Sequence, residues 1–177
     1  MRFQTEVWER YSVSQNRAKR MVRRGAEMTL PVFESVLEKT KVAGEMDLGV
    51  VEIPVNQIVG IASDSDRENY ASDFLPLPSI KSEYAENWTR LYLEHLSDAG
   101  LREPIRCYEY LGKFYVVDGK KRVSVLKDNG AAMVKAAVIR ILPAESEEAE
   151  IQSYYAEMYK VADPDFRIEV FAHKKAS

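Results

Sequence analysis

Phe114-Tyr115-Val116-Val117-Asp118-Gly119-Lys120-Lys121-Arg122-Val123-Ser124-Val125-Leu126 is the segment on which the architecture of this chain turns. Residues 114–117 form a compact aromatic and β-branched run, the composition of a strand. Asp118-Gly119 breaks it. From Lys120 onward the apolar residues Val123 and Leu126 recur at helical spacing as far as Asn129-Gly130, where glycine supplies a left-handed residue that ends a helix. The segment therefore reads strand, tight turn, helix. The first turn of that helix carries Lys120, Lys121 and Arg122, beside backbone N–H groups with no intrahelical acceptor and the positive end of the helix dipole. Cations are disfavoured there, so the cluster outlines an anion site built from Asp118, Gly119, Lys120, Lys121 and Arg122. In the alternative reading, Asp118 caps the helix by accepting from the N–H of Lys120 or Lys121, and the three cations are solvated.

On the N-terminal side of this segment, Ile105-Arg106-Cys107-Tyr108 opens a strand over residues 105–110, and Leu111-Gly112-Lys113 is a short reversal into residues 114–117, which predicts an antiparallel hairpin. Residues 134–141 read as another strand stopped by Pro143, and residues 49–53 as one halted by Pro54, followed by a helical turn over 55–58. Ser79 or Ser82 can cap a helix in which Tyr84, Trp88, Leu91, Tyr92, His95 and Leu96 form a wide apolar stripe, closed by Gly100. Trp88 is read as core and His95 as a hydrogen-bonded packing residue without a catalytic role. Residues 5–24 predict an amphipathic helix with a basic face of Arg10, Arg17, Lys19, Arg20, Arg23 and Arg24, either solvated or facing phosphates or an acidic partner. Pro31 opens a second short helix to about Lys41.

Residues 61–79 read as a long irregular loop rich in Ser, Asp and Pro. Its carboxylates Asp64, Asp66 and Asp73 can hold Mg²⁺ through water, with Arg67 as an accessory residue, or form a solvated acidic surface. A helix over 145–159 places Ile151, Tyr154, Tyr155 and Met158 on one face, and Phe166, Ile168 and Val170 alternate as a last short strand. Tyr154, Tyr155 and Tyr159 serve either as a stacking platform or in packing. The fold class expected is α/β (α+β): a small mixed sheet with flanking helices. It is divided into an N-terminal helical extension (1–48), a central domain (49–143), and a C-terminal helix and short strand packed on it (144–177).

A chain of 177 residues with 46% hydrophobic content can bury a real core. The net charge of −3 gives no global pull toward nucleic acid, so any DNA binding is local and weak. One cysteine, Cys107, rules out an internal disulfide and reads as a buried thiol. Two histidines and one cysteine do not make a zinc cluster without carboxylates. No apolar run approaches membrane-spanning length and residues 1–6 lack a signal-peptide core, so no membrane partner and a cytoplasmic location are expected.

Several of these motifs together resemble the ParB/sulfiredoxin-like domain of bacterial proteins. They are Val51-Glu52-Ile53-Pro54-Val55-Asn56-Gln57-Ile58, Gly100-Leu101-Arg102-Glu103-Pro104-Ile105, the hairpin, and Tyr115-Val116-Val117-Asp118-Gly119-Lys120-Lys121-Arg122 with Gly130 and the strand to Ile141. The likeness spans residues 50–142. It implies a small α/β domain whose glycine-plus-basic turn binds the phosphates of a nucleotide through Gly119 and Arg122, with Lys121 in a basic slot. Lys120 stands where partition proteins carry Glu and where sulfiredoxins carry the catalytic Cys, and Cys107 does not inherit that role. The leading expectation is a regulatory module that binds a phosphorylated small molecule or a nucleotide, a triphosphate with Mg²⁺ among the candidates. The alternatives are a phosphotransferase or nucleotide hydrolase using Asp64, Asp66 or Asp118, and a DNA-binding, partition-like protein using the Arg17–Arg24 helix. A homo-oligomer is compatible with all three.

Overall fold

The computed structural model describes residues 2–25 and 29–161. In chain order its elements are α1 (Arg2–Val22), α2 (Phe33–Leu37), β1 (Val42–Pro54), β2 (Ile58–Ile61), α3 (Glu83–Leu96), β3 (Ile105–Tyr110), β4 (Lys113–Asp118), α4 (Lys120–Asp128), β5 (Met133–Pro143) and α5 (Ala149–Val161). The strands form one mixed sheet in the order β1-β5-β3-β4-β2. β1 is antiparallel to β5, β5 parallel to β3, β3 antiparallel to β4, and β4 parallel to β2. The expected mixed α/β class is the one observed. Among the described residues no helix is long and apolar enough to cross a membrane.

Alternation along the central strands divides the core between the two faces of the sheet. Ile105, Cys107, Val116, Ala136 and Val138 point to one face, where they pack with Tyr11, Trp88 and Val123. Tyr110, Tyr115 and Ile141 point to the other, gathered around Phe33. Each fully buried aromatic in such a layer contributes on the order of 2–3 kcal/mol through burial alone. Burial raises the Cys107 thiol to about 12, as expected of an inert core cysteine.

The N-terminal helix is bound tightly to the rest of the chain. Tyr11 donates its hydroxyl to the Pro78 carbonyl at 2.7 Å and lies edge-on to Trp88. Arg10 donates to the Asp128 carboxylate at 2.8 Å and to its carbonyl at 2.9 Å, while Ser14 donates to the other Asp128 oxygen. Arg10 therefore belongs to an α1–α4 joint, not to the free basic face.

On β3, the carboxylate of Glu109, 2% exposed, accepts from Arg140 Nε at 2.6 Å, from the Tyr154 hydroxyl and from the Gly112 N–H. Tyr155 donates to the Pro143 carbonyl. These two tyrosines pack α5 onto the sheet, so the packing reading holds for them.

Several boundaries differ from the sequence reading. The first strand begins at Val42, well before Gly49, because residues 42–47 pair with 139–143 of β5 despite a glycine and two carboxylates that mask strand propensity. Residues 58–61 form strand β2, whose edge is closed by Pro31: the Ile61 N–H donates to the Pro31 carbonyl at 3.0 Å. Gly60 is needed there, since a Cβ would lie 2.3 Å from that oxygen. The 62–79 loop leaves the side chains of Asp64, Asp66 and Asp73 exposed, as the solvated reading expects, while Tyr70, Ala71, Phe74 and Leu75 bury themselves and anchor it to the core. α3 starts at the Ser82 cap, which accepts from the Ala85 N–H at 3.2 Å, and ends at Leu96 instead of running to Gly100. Leu96 is exposed, while His95 meets the Asn129 side chain at 2.7 Å in a packing role. The strand expected at 166–170 lies outside the described residues.

Candidate functional site

β4 is hydrogen-bonded on both sides, to β3 and β2, and so delivers its C-terminal turn to a fixed place at one end of the sheet. Gly119 follows with φ +99°, a conformation that side-chain-bearing residues rarely adopt. Its missing side chain is also a spatial requirement. A Cβ there would lie 2.7 Å from Ile105 Cγ2 and 3.1 Å from Arg122 Nη2. Gly119 is thus demanded by the protein's own packing.

α4 then begins at Lys120 with Gly119 as its N-cap and no side-chain cap. Asp118 does not cap it. The residue is the last of β4, one position too early, and its carboxylate instead accepts from Arg122 Nη2 at 3.2 Å. The first intrahelical bond runs from the Val123 N–H to the Gly119 carbonyl at 3.0 Å, so the N–H groups of Lys120, Lys121 and Arg122 have no acceptor within the helix.

The three cations diverge from this turn toward three walls. Lys120 donates to the Ser65 carbonyl at 2.7 Å and lies 3.7 Å from Asp66. Lys121 holds its ammonium 5.3 Å from the centre of the Tyr84 ring on α3. Arg122 donates to the Glu103 carbonyl at 2.7 Å and to the Pro104 carbonyl at 3.1 Å, besides its pair with Asp118. The planar fork that an anion would need is therefore largely engaged in holding residues 103–104 against α4.

The loop carboxylates also separate. Asp64 pairs with Arg67 at 3.4 Å, Asp66 with Lys120, and Asp73 with Lys127 at 2.7 Å. Arg67 in turn ties the loop to the Leu30 carbonyl and the Thr29 hydroxyl. No group of three metal-ligating side chains occurs among the described residues.

What these walls enclose is a cleft of about 900 Å³. Its floor is residues 117–122, one wall is the α3 row Glu83, Asn87, Arg90, Leu91 and Glu94, and the lips are Asp66-Asn69-Tyr70 and Leu101-Arg102-Glu103. Asp118, Gly119, Lys120, Lys121, Arg122 and Asp66 are brought together here; Asp64 and Arg67 are not among its lining residues. The polar row of α3 and Arg102 escaped the sequence reading. Its signal was present in the spacing of Glu83, Asn87, Arg90 and Glu94, which shares one helix face beside the apolar stripe.

Beneath the cleft, Trp88 Nε1 donates to Ser124 Oγ at 2.9 Å, and Ser124 donates to the Phe74 carbonyl at 2.6 Å, locking α3, α4 and the loop together. Tyr70 and Tyr84 are both pushed upward in pKa by burial and remain neutral hydroxyls.

No family model and no curated protein matches the sequence. Among solved structures, the chain is similar to the chromosome-partitioning protein ParB from Caulobacter crescentus, C-terminally truncated and complexed with CTP-gamma-S. That likeness has 17% identity and a TM-score of 0.36, covering 65% of this chain and 55% of that one. It is also similar to sulfiredoxin from Arabidopsis thaliana, with 16% identity and a TM-score of 0.35, covering 60% of this chain and 96% of that one. This chain therefore spans little more than half of the partition-protein structure.

Proposed function

We propose that the cleft binds a phosphorylated small molecule or nucleotide and that the protein is a binding module whose output is regulatory. One observation carries the reading: the uncapped N-terminus of α4 opens, with Lys120 and Lys121 beside it, on the floor of a cleft large enough for such a ligand. Pockets of roughly 300–1,000 Å³ are typical of small-molecule sites. The phosphate would sit on the N–H groups of residues 120–122, where the helix dipole favours negative charge. Lys120 and Lys121 are flexible point charges able to turn from their present partners to the ligand. Arg122 supports the site indirectly, by fixing residues 103–104 and the start of α4.

The test is a thermal-shift screen of inorganic phosphate, sugar phosphates and nucleotides, with and without Mg²⁺. A ligand that binds only the folded state raises Tm by mass action, by about 2.7 kcal/mol of added stability at a hundredfold excess over Kd. Replacing both Lys120 and Lys121 by Met should abolish the shift. A wild-type protein that responds to no phosphorylated compound sinks the proposal.

A further inference from the structure

The charge arrangement of the cleft narrows its ligand, and the narrowing rests on the phosphate reading above. We infer that the ligand is a phosphomonoester rich in hydroxyl or amino donors, and not a polyphosphate. The cations lining the cleft are Arg90, Arg102, Lys120, Lys121 and Arg122, and they are matched by the carboxylates Asp66, Glu83, Glu94, Glu103 and Asp118. Two of the cations are already partnered, Lys120 with Asp66 and Arg122 with Asp118. Arg122 is committed further to two carbonyl oxygens. One phosphate, carrying about 1.5 to 2 negative charges at neutral pH, is served by the α4 N–H groups and Lys121, with Lys120 turning from Asp66 to join them.

Further phosphates would meet only Arg90 and Arg102, in a lining whose five cations are already matched by five carboxylates. They would extend from the floor along α3, where Glu83 and Glu94 present carboxylates on either side of Asn87 and Arg90, and the Arg90 guanidinium donates to the Asn87 amide oxygen at 3.4 Å. Phosphate oxygens only accept hydrogen bonds, and carboxylates also only accept, so the two repel and leave each other unsatisfied. Hydroxyl and amino groups have the opposite chemistry. They donate to Glu83 and Glu94, which is what a sugar or amino sugar ester or the ribose of a nucleotide offers.

The experiment is calorimetry at low ionic strength without divalent metal. The probes are ribose phosphate, the ribonucleoside monophosphates, the matching triphosphates and inorganic tripolyphosphate. Monophosphate esters are expected to bind at least tenfold tighter than the triphosphates, with tripolyphosphate silent. A Glu83→Gln/Glu94→Gln double variant should shrink that preference several-fold, chiefly by strengthening triphosphate binding, and added salt should shrink it in the wild type because the α3 carboxylates are solvent-screened. Triphosphates binding as tightly as monophosphates in metal-free buffer would overturn the inference while leaving the phosphate reading standing. A preference unmoved in the double variant, its folding verified by melting temperature, would overturn the assigned cause. No binding by any of the probes would remove both readings together.

Discussion

Replacing Gly119 by Ala tests whether the organising turn is held by packing or kept open for a ligand. Two costs add. An L-residue in the left-handed region costs about 1–2 kcal/mol. The new Cβ would also stand 2.7 Å from Ile105 Cγ2 and 3.1 Å from Ile105 Cβ. Ile105 is 1% exposed, β-branched, and fixed in a strand between two neighbours, so it has nowhere to move. Overpacking of that kind costs about 1–3 kcal/mol. The sum is about 3.5 kcal/mol at mid-range, which for a domain of this size lowers Tm by about 7–14 °C.

Gly130→Ala is the matched control. Its φ is +67° and an added Cβ would meet nothing within 4 Å, so it carries only the conformational cost, about 1 kcal/mol. Scanning calorimetry and urea midpoints of both variants in ligand-free buffer give the difference directly. If Gly119→Ala melts within 2 °C of Gly130→Ala, by the same scale of about 2–4 °C per kcal/mol, the packing argument is wrong and the glycine is there for some other reason.

Other perturbations follow the same logic. Arg122→Ala should lower stability by about 1.5–3 kcal/mol, because charge-assisted bonds to two carbonyls are lost; an unchanged urea midpoint would return Arg122 to the pool of free cations. Arg140→Met strands the buried Glu109 carboxylate and should cost about 3–5 kcal/mol, while Arg140→Met combined with Glu109→Leu should recover much of it; equal losses in single and double variants would refute the pairing. The Cys107 thiol, raised to about 12 from an ordinary value of 9.0, should resist alkylation at pH 8 until urea unfolds the chain. A folded-state pKa above the unfolded one gives stability that is complete below pH 9 and lost as pH rises toward 12, and Cys107→Ala should remove that part of the alkaline slope in urea titrations. Generic duplex DNA should bind weakly and with steep salt dependence through Arg17, Lys19, Arg20, Arg23 and Arg24; tight, sequence-selective binding at physiological salt would favour the partition-like alternative.

The local grammar of the site is written in the residues themselves. Strand 113–118, the Asp118-Gly119 break and the helix to Asp128 follow from side-chain shape and glycine's freedom, which act within a few residues. The hairpin at Leu111-Gly112, the Ser82 cap and the burial of Trp88 and Cys107 were legible for the same reason. What a cation does at a distance was not. Lys120, Lys121 and Arg122 are adjacent in sequence, yet they reach residues 65, 84 and 103–104, and nothing local specifies which carbonyl, ring or carboxylate will be within a few ångströms. The long pairing of β1 with β5 is likewise non-local, and it overrides the weak strand propensity of residues 42–48. The cleft itself exists only because α3 is packed beside α4 and the 62–79 loop is pinned by Phe74 and Ser124. Its second wall therefore had to come from the folded chain: helical spacing places Glu83, Asn87 and Glu94 on one face, and packing alone turns that face toward the basic turn.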